Sequence, residues 1–292
     1  MITSAIKNTI LPILLICSFL ANAQIVREPQ HTPAEWSAAY PPFRIAGNLY
    51  YVGTKDLACY LFVGKQGHIL INTGLANSAS LIKAAVEKLG FKFSDIKILL
   101  TTQAHYDHMG AMNAVQRETG ARFLVSDPDA QVVRDGGRSD YALGSDTASY
   151  APVKIAGLLK NNALIQLGEI KLRMLLHPGH TKGSCSYIAD VADGKKNYRV
   201  LIANMPTIVT EKPFTKISAY PTIAADYAAT LKAMKNLHFD FWFSSHASQF
   251  SLEAKHKPGQ PYNPEAFRDK AGYNKALNEL QKEYDEKISR EQ

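Results

Sequence analysis

The 292-residue chain reads as an α+β protein in which two mixed sheets lie between helices. Two kinds of segment predict this. Short apolar runs punctuated by turn residues read as strands. Segments with apolar residues three and four apart read as helices. The order strands, helix, strands, helix then recurs in each half, although no internal repeat of sequence is visible.

Taken in order, residues 49–52, 58–63 and 68–72 predict consecutive antiparallel strands, separated by Gly53-Thr54 and Lys65-Gln66-Gly67. Residues 78–89 carry Leu81, Ile82, Ala85, Val86 and Leu89 at helical spacing, with Gly90 as the stop. A strand over 96–101, a loop, a helix over 109–118, a strand over 123–126 and a short helix over 127–133 follow. Residues 135–161 lack clear periodicity and contain Gly136-Gly137, which predicts a functional flap or an irregular insert. Strands are expected over 165–168, 170–176, 185–189 and 198–203, with Asp193-Gly194 marking a hairpin turn. Residues 222–237 are amphipathic and helical, and 239–243 form the last strand. Residues 264–288 read as a terminal helical region broken near Gly272.

The N-terminus has the pattern of a secretory signal. Lys7, an apolar stretch from Ile10 to Leu20 and the small-x-small Ala21-Asn22-Ala23 predict cleavage after residue 23. That stretch is too short to span a bilayer. The bulky Ile16 before Cys17 argues against lipidation there. The expectation is an exported, periplasmic protein with one domain over 24–292, monomeric and without stable membrane association. Removal of the signal leaves Cys59 and Cys185, which excludes a disulfide-built scaffold and leaves their pairing open. The net charge of +7 comes from scattered basic residues with no basic-aromatic stripe, so nucleic acid is not indicated.

The chemistry sits at three strand ends. Gln103-Ala104-His105-Tyr106-Asp107-His108 follows the apolar run at 96–100. It places His105, Asp107 and His108 within four positions, and imidazole nitrogen and carboxylate oxygen are what zinc binds at ~2.0–2.2 Å. His177-Pro178-Gly179-His180-Thr181-Lys182-Gly183-Ser184 follows a second strand, and a glycine-bracketed turn presents His180. Phe241-Trp242-Phe243-Ser244-Ser245-His246 delivers a third histidine. Three rim loops on a rigid scaffold are a common way to build a site. His31, His68, His238 and His256 are expected at the surface, and His177 as a packed or exposed residue. Tyr227 and Leu231 are expected in the core.

In this order, the three motifs resemble those of the metallo-β-lactamase superfamily, from about Phe43 to the C-terminus. The chain looks most like the third subclass of class B β-lactamases, and among these the GOB-type enzymes, in which glutamine replaces the first histidine as Gln103 does here. The stretches over 43–53 and 245–250 match that type as well. The resemblance implies an αββα sandwich. It implies a first zinc site of Gln103, His105 and His180 and a second of Asp107, His108 and His246. It implies attack of zinc-bound hydroxide on the lactam carbonyl of penicillins, cephalosporins and carbapenems, with Asp107 orienting the nucleophile and no acyl-enzyme. Thr207, two residues past Met205, would anchor the substrate carboxylate.

The departures are informative. An amide oxygen is a poorer zinc donor than imidazole, so Gln103 should weaken the first site and leave the second better populated. One zinc or two per chain are both compatible with this, and the resemblance favours one. Many related thioesterases and lactonases carry a bridging Asp where this chain has Asn204-Met205. That weighs against a thioester, lactone or phosphoester hydrolase as the alternative. A zinc-binding protein inactivated by Gln103 is the non-enzyme rival. Asn72-Thr73-Gly74 also lacks the Asp often found after the early strand, so another group must orient a ligand imidazole.

Overall fold

A computed structural model describes residues 25–291. The expected signal at 1–23, with Cys17, lies outside the described residues. Strands β1 (Phe43–Ala46), β2 (Leu49–Tyr51), β3 (Tyr60–Gly64) and β4 (Gly67–Ile71) form an antiparallel meander. Helix α1 (Ser78–Lys88) leads to β5 (Ile96–Leu100), which pairs parallel with β4. Next come α2 (Tyr106–Met109), α3 (Met112–Thr119), β6 (Arg122–Ser126), α4 (Ala130–Arg134) and β7 (Ile155–Leu159). These complete a seven-stranded sheet in sequence order.

The second half contributes β8 (Leu164–Leu167), β9 (Ile170–Leu176), β10 (Cys185–Asp193), β11 (Lys196–Ala203), α5 (Ile223–Lys235), β12 (Phe241–Ser244), α6 (Leu252–Lys255) and α7 (Lys270–Arg290). Its five-stranded sheet runs β12-β11-β10-β9-β8, antiparallel except where β12 joins β11. The architecture is two mixed sheets flanked by helices, as expected.

The apolar runs are nearly continuous because the central strands of the first sheet are buried on both faces. Ile69, Ile71, Ile98 and Leu100 point into the core between the sheets, where they meet Leu172, Met174 and Tyr187. Leu70 and Leu99 point the other way, onto Val86 of α1 and Val115 of α3. Leu231 and Met234 of α5 and Tyr273 and Leu277 of α7 join the main core from the outer side of the second sheet. Full burial of one such side chain stabilises by roughly 1.5–3 kcal/mol, so the scaffold is rigid where the site is built.

Three expectations need correction. Residues 135–161 are not wholly irregular, because β7 lies inside them and forms an edge of the first sheet. The terminal helix is unbroken at Gly272, and the break falls before it, at Arg268-Asp269. Asp269 caps α7 by accepting from the Gly272 N–H at 2.7 Å, and a Cβ at 272 would lie 2.2 Å from that carboxylate. Glycine is there for the cap, not to stop the helix. His68 is buried, edge-on to Phe91, because both faces of its sheet are covered. His31 and His238 are exposed, and His256 is half-buried, stacked on Phe43. Cys59 and Cys185 are separate buried thiols, and burial pushes Cys185 up to about 12. No described helix is long and apolar enough to cross a membrane.

Candidate metal centre

The strands β5, β9 and β12 end at one rim, and ties across the two sheets align their loops. Tyr187 donates from its hydroxyl to the Thr101 carbonyl at 2.8 Å, and Tyr60 to the Ser244 carbonyl at 2.6 Å. Thr102 and Ser245 hydroxyls meet at 2.8 Å. The parallel register Ala203↔Ser244 sets Asn204 beside Ser245, whose hydroxyl donates to the Asn204 Oδ1 at 3.2 Å.

The first loop turns on Asn72, which has φ +63° and accepts from the Thr102 N–H at 2.9 Å. In place of a carboxylate, its amide thus holds the backbone entering Gln103. His105 has extended backbone and starts α2, so Asp107 and His108 lie in the first turn of a helix rather than in a loop. The second loop folds back on itself. His177 N–H donates to the Ser184 carbonyl at 2.8 Å, and Gly179, at φ +132°, packs under the Tyr227 ring. Asp129, at the start of α4, braces this turn by accepting from the Thr181 hydroxyl at 2.8 Å and the Gly183 N–H at 2.7 Å. A Cβ at 183 would lie 2.2 Å from Ser126 Oγ, so only glycine lets the turn approach that closely. Burial raises the Asp129 carboxyl to about 6 despite those two bonds. Replacing Asp129 with Ala should cost about 3 kcal/mol and loosen His180, seen as a lower urea midpoint together with weaker metal binding. An unchanged midpoint would show that the turn holds itself.

Asp107, His108 and His246 come together. Asp107 Oδ2 lies 3.2 Å from His108 Nε2 and 3.3 Å from His246 Nε2, and one donor atom from each of the three falls within 4.8 Å of the others. Beside them the His105 and His180 rings are 4.9 Å apart. Gln103, His105, Asp107, His180, His246 and Thr207 all line a single pocket of about 210 Å³, closed by Trp36, Leu143, Met205 and Val209. Larger clefts lie around Phe43 and His256 (410 Å³) and beside Pro33 and Ser251 (500 Å³), but neither combines histidine with a carboxylate.

His246 and His180 each hydrogen-bond the protein through one nitrogen, and one nitrogen of His105 faces a carboxylate. His246 Nδ1 is 3.0 Å from Asp56 Oδ2, and His180 Nδ1 is 2.8 Å from the Thr207 carbonyl. His105 Nε2 is 3.4 Å from Asp140 Oδ1. These contacts leave His246 Nε2, His180 Nε2 and His105 Nδ1 for the pocket. Gln103 Oε1, His105 Nε2 and both His108 nitrogens are buried with no hydrogen-bond partner. Buried polar atoms are rarely left so, and a cation bound by nitrogen and oxygen donors fits this arrangement. Burial works against charge on Asp107, but His108 and His246 hold it well below the usual carboxylate range. Burial likewise opposes charge on His246, yet Asp107 and Asp56 raise it to about 9. Burial keeps His180 neutral, at about 3.

The sequence family described as the metallo-β-lactamase superfamily matches residues 55–194. The fold superposes on the class B3 di-zinc metallo-β-lactamase LRA-12 from an Alaskan soil metagenome with a TM-score of 0.88, at 58% identity over 89% of this chain and 99% of that one. The chain belongs to the class B3 metallo-β-lactamase family. GOB-18 from Elizabethkingia meningoseptica, with a TM-score of 0.91, is 55% identical over 92% of this chain and 99% of its own. A curated relative, a probable metallo-hydrolase of Methanocaldococcus jannaschii, is 26% identical over 136 residues, and the chain spans 60% of its length.

Within this class B3 member, local spacing could not reveal the residues that steady the histidines. Asp56 is 190 positions from His246, and Asp140 sits in the segment without periodicity. Tyr227, in the core as expected, also donates to the Thr207 carbonyl at 2.9 Å, the acceptor that His180 uses. His177 is buried against Ser186 at 2.7 Å and supports no ligand. Among the described residues two Ser-x-x-Lys tetrads occur, at Ser80–Lys83 and Ser94–Lys97. Both serines are exposed and neither tetrad lines the pocket, so neither supplies a serine nucleophile there.

Proposed function

We propose that this chain is a zinc-dependent β-lactamase that opens the lactam amide of penicillins, cephalosporins and carbapenems without a covalent intermediate. The observation that carries this reading is the cluster of Asp107, His108 and His246, two of which share one pocket wall with Gln103, His105 and His180. Family membership supports it. Zinc bound there supplies Lewis acidity and makes a water acidic enough to lose its proton near pH ~7.

The protein's own groups do the rest. Asp107 is the only carboxylate lining the pocket among the described residues, so it orients the attacking water and relays its proton to the departing lactam nitrogen as the C–N bond breaks. Asp56, Asp140 and the Thr207 carbonyl fix which nitrogen each histidine offers. The Thr207 hydroxyl, at the pocket wall, anchors the substrate carboxylate. Trp36, Leu143 and Val209 give apolar cover to the substituents on the lactam. Gln103 offers a neutral amide oxygen, so Asp107, His108 and His246 fill first and the Gln103 side fills at higher zinc. The protein is a periplasmic monomer exported by a cleaved signal.

The test is hydrolysis of a chromogenic cephalosporin and a carbapenem by residues 24–292 at zero, one and two zinc equivalents, with chelator as control. Turnover is expected at one equivalent. Activity only at two would assign a working role to the Gln103 side. Bound zinc without turnover at either stoichiometry would sink the β-lactamase reading.

A further inference from the structure

Residues 26–39, ahead of the stretch that carries the family resemblance, form a strap beside the metal pocket. Val26 bridges to Ala148, and the Arg27 N–H donates to the Ala148 carbonyl at 2.7 Å. Glu28 accepts from the Ala76 N–H at 2.8 Å, at the entry to α1. At the other end Ala39 bridges to Thr54, and the Lys55 N–H donates to the Ala38 carbonyl at 2.9 Å. Between these anchors lies Trp36. Its ring is 5.4 Å from the His246 ring and 6.3 Å from that of Tyr106. Its indole N–H donates at 3.0 Å to Asp56 Oδ2, the same oxygen that meets His246 Nδ1. The other oxygen, Oδ1, accepts from the Ser248 N–H at 2.9 Å. The carboxylate is therefore held on three sides, and the indole supplies one of them.

We propose that Trp36 is a positioning residue of the metal centre: through Asp56 it aims His246 Nε2 into the pocket, so the strap is part of the metal site. The physical reason is acceptor geometry. A carboxylate free to rotate would offer His246 Nδ1 either oxygen at several angles, and the ring would follow. The indole bond leaves Oδ2 one orientation, and the ring contact blocks the imidazole from swinging out. Partners of this kind are worth about 10–100-fold in metal affinity. The inference builds on the metal-site reading and not on the identity of the substrate.

Trp36→Phe keeps the apolar wall and removes the N–H, so it separates the two roles. The full chain, as wild type, W36F, D56N and the double variant, is titrated with zinc against a chromophoric chelator and loaded with Co(II) for its ligand-field spectrum. The expected result is about tenfold weaker zinc binding in W36F with a shifted Co(II) spectrum. In the D56N background W36F should add little, because the path through Asp56 is already cut. Wild-type zinc affinity in W36F, or an equal loss in both backgrounds, would overturn the proposal. Far-UV circular dichroism of the metal-free proteins checks folding, and Trp36→Leu serves the same comparison if W36F does not fold. Zinc binding that follows the expected pattern with no hydrolysis of any β-lactam would refute the proposed function and leave this inference standing.

Discussion

Asp107→Asn should lower kcat/KM on a chromogenic cephalosporin by about 10³–10⁴-fold, the range spanned by loss of a positioned proton acceptor together with a weakened metal ligand. The side chain keeps its shape, so the loss is of charge. Asp107 Oδ2 lies between His108 Nε2 and His246 Nε2 and is the carboxylate on the pocket wall. A neutral amide there can neither take up the water's proton nor balance a divalent cation. The same change removes one of the two carboxylates that raise His246. Steady-state kinetics at saturating zinc, with zinc content measured on the same samples, checks this. A loss smaller than tenfold with full zinc content would remove Asp107 from the proton path.

The His246 proton alone should make zinc affinity rise with pH by about tenfold per unit between pH 7 and about 9, because loading must displace it. The direction follows from the shift. In the metal-free protein Asp107 and Asp56, against the effect of burial, raise His246 to about 9, so below that value the proton competes with the metal. Titration calorimetry in buffers of different ionisation enthalpy should register the His246 proton at pH 7 and lose that one proton by pH 10, leaving only the proton given up by zinc-bound water. The same shift sets the stability of the metal-free protein. Its contribution is fully present below the unfolded histidine value of about 6.5 and is lost as pH rises through about 9. The metal-free protein should thus melt lower at pH 10 than at pH 7. A zinc affinity that stays flat from pH 7 to 9 would mean that His246 is already neutral.

The centre was legible in the sequence where ligand-type residues cluster locally. His105, Asp107 and His108 fall within four positions after a strand, and His180 and His246 follow strands of their own. Apolar spacing likewise marked β4, β5, β9 and α5 to within a few residues. Spacing misled where a residue's role depends on a distant partner. Gly272 reads as a helix breaker until Asp269 is seen over it, and His68 reads as a surface residue until both faces of its sheet are covered. The stretch around Asp140 has no period because its backbone bonds and its contact with His105 serve the site rather than a helix or strand.

By itself the sequence determined the two-sheet architecture and the residue types at the rim. Strand and helix periodicity depend on neighbours two to four positions apart, and metal-donor chemistry belongs to the side chains themselves. Only the tertiary structure decided which nitrogen each histidine presents. His246 is set by Asp56, His105 by Asp140 and His180 by the Thr207 carbonyl, over separations of 190, 35 and 27 residues. The His246–Asp56 pairing spans the two halves of the molecule, where Tyr60 and Tyr187 tie the sheets into one rim and the strap lays Trp36 against Asp56. Contacts of that range follow from bringing together loops that are distant in sequence, within each sheet and between the two, which no local pattern encodes.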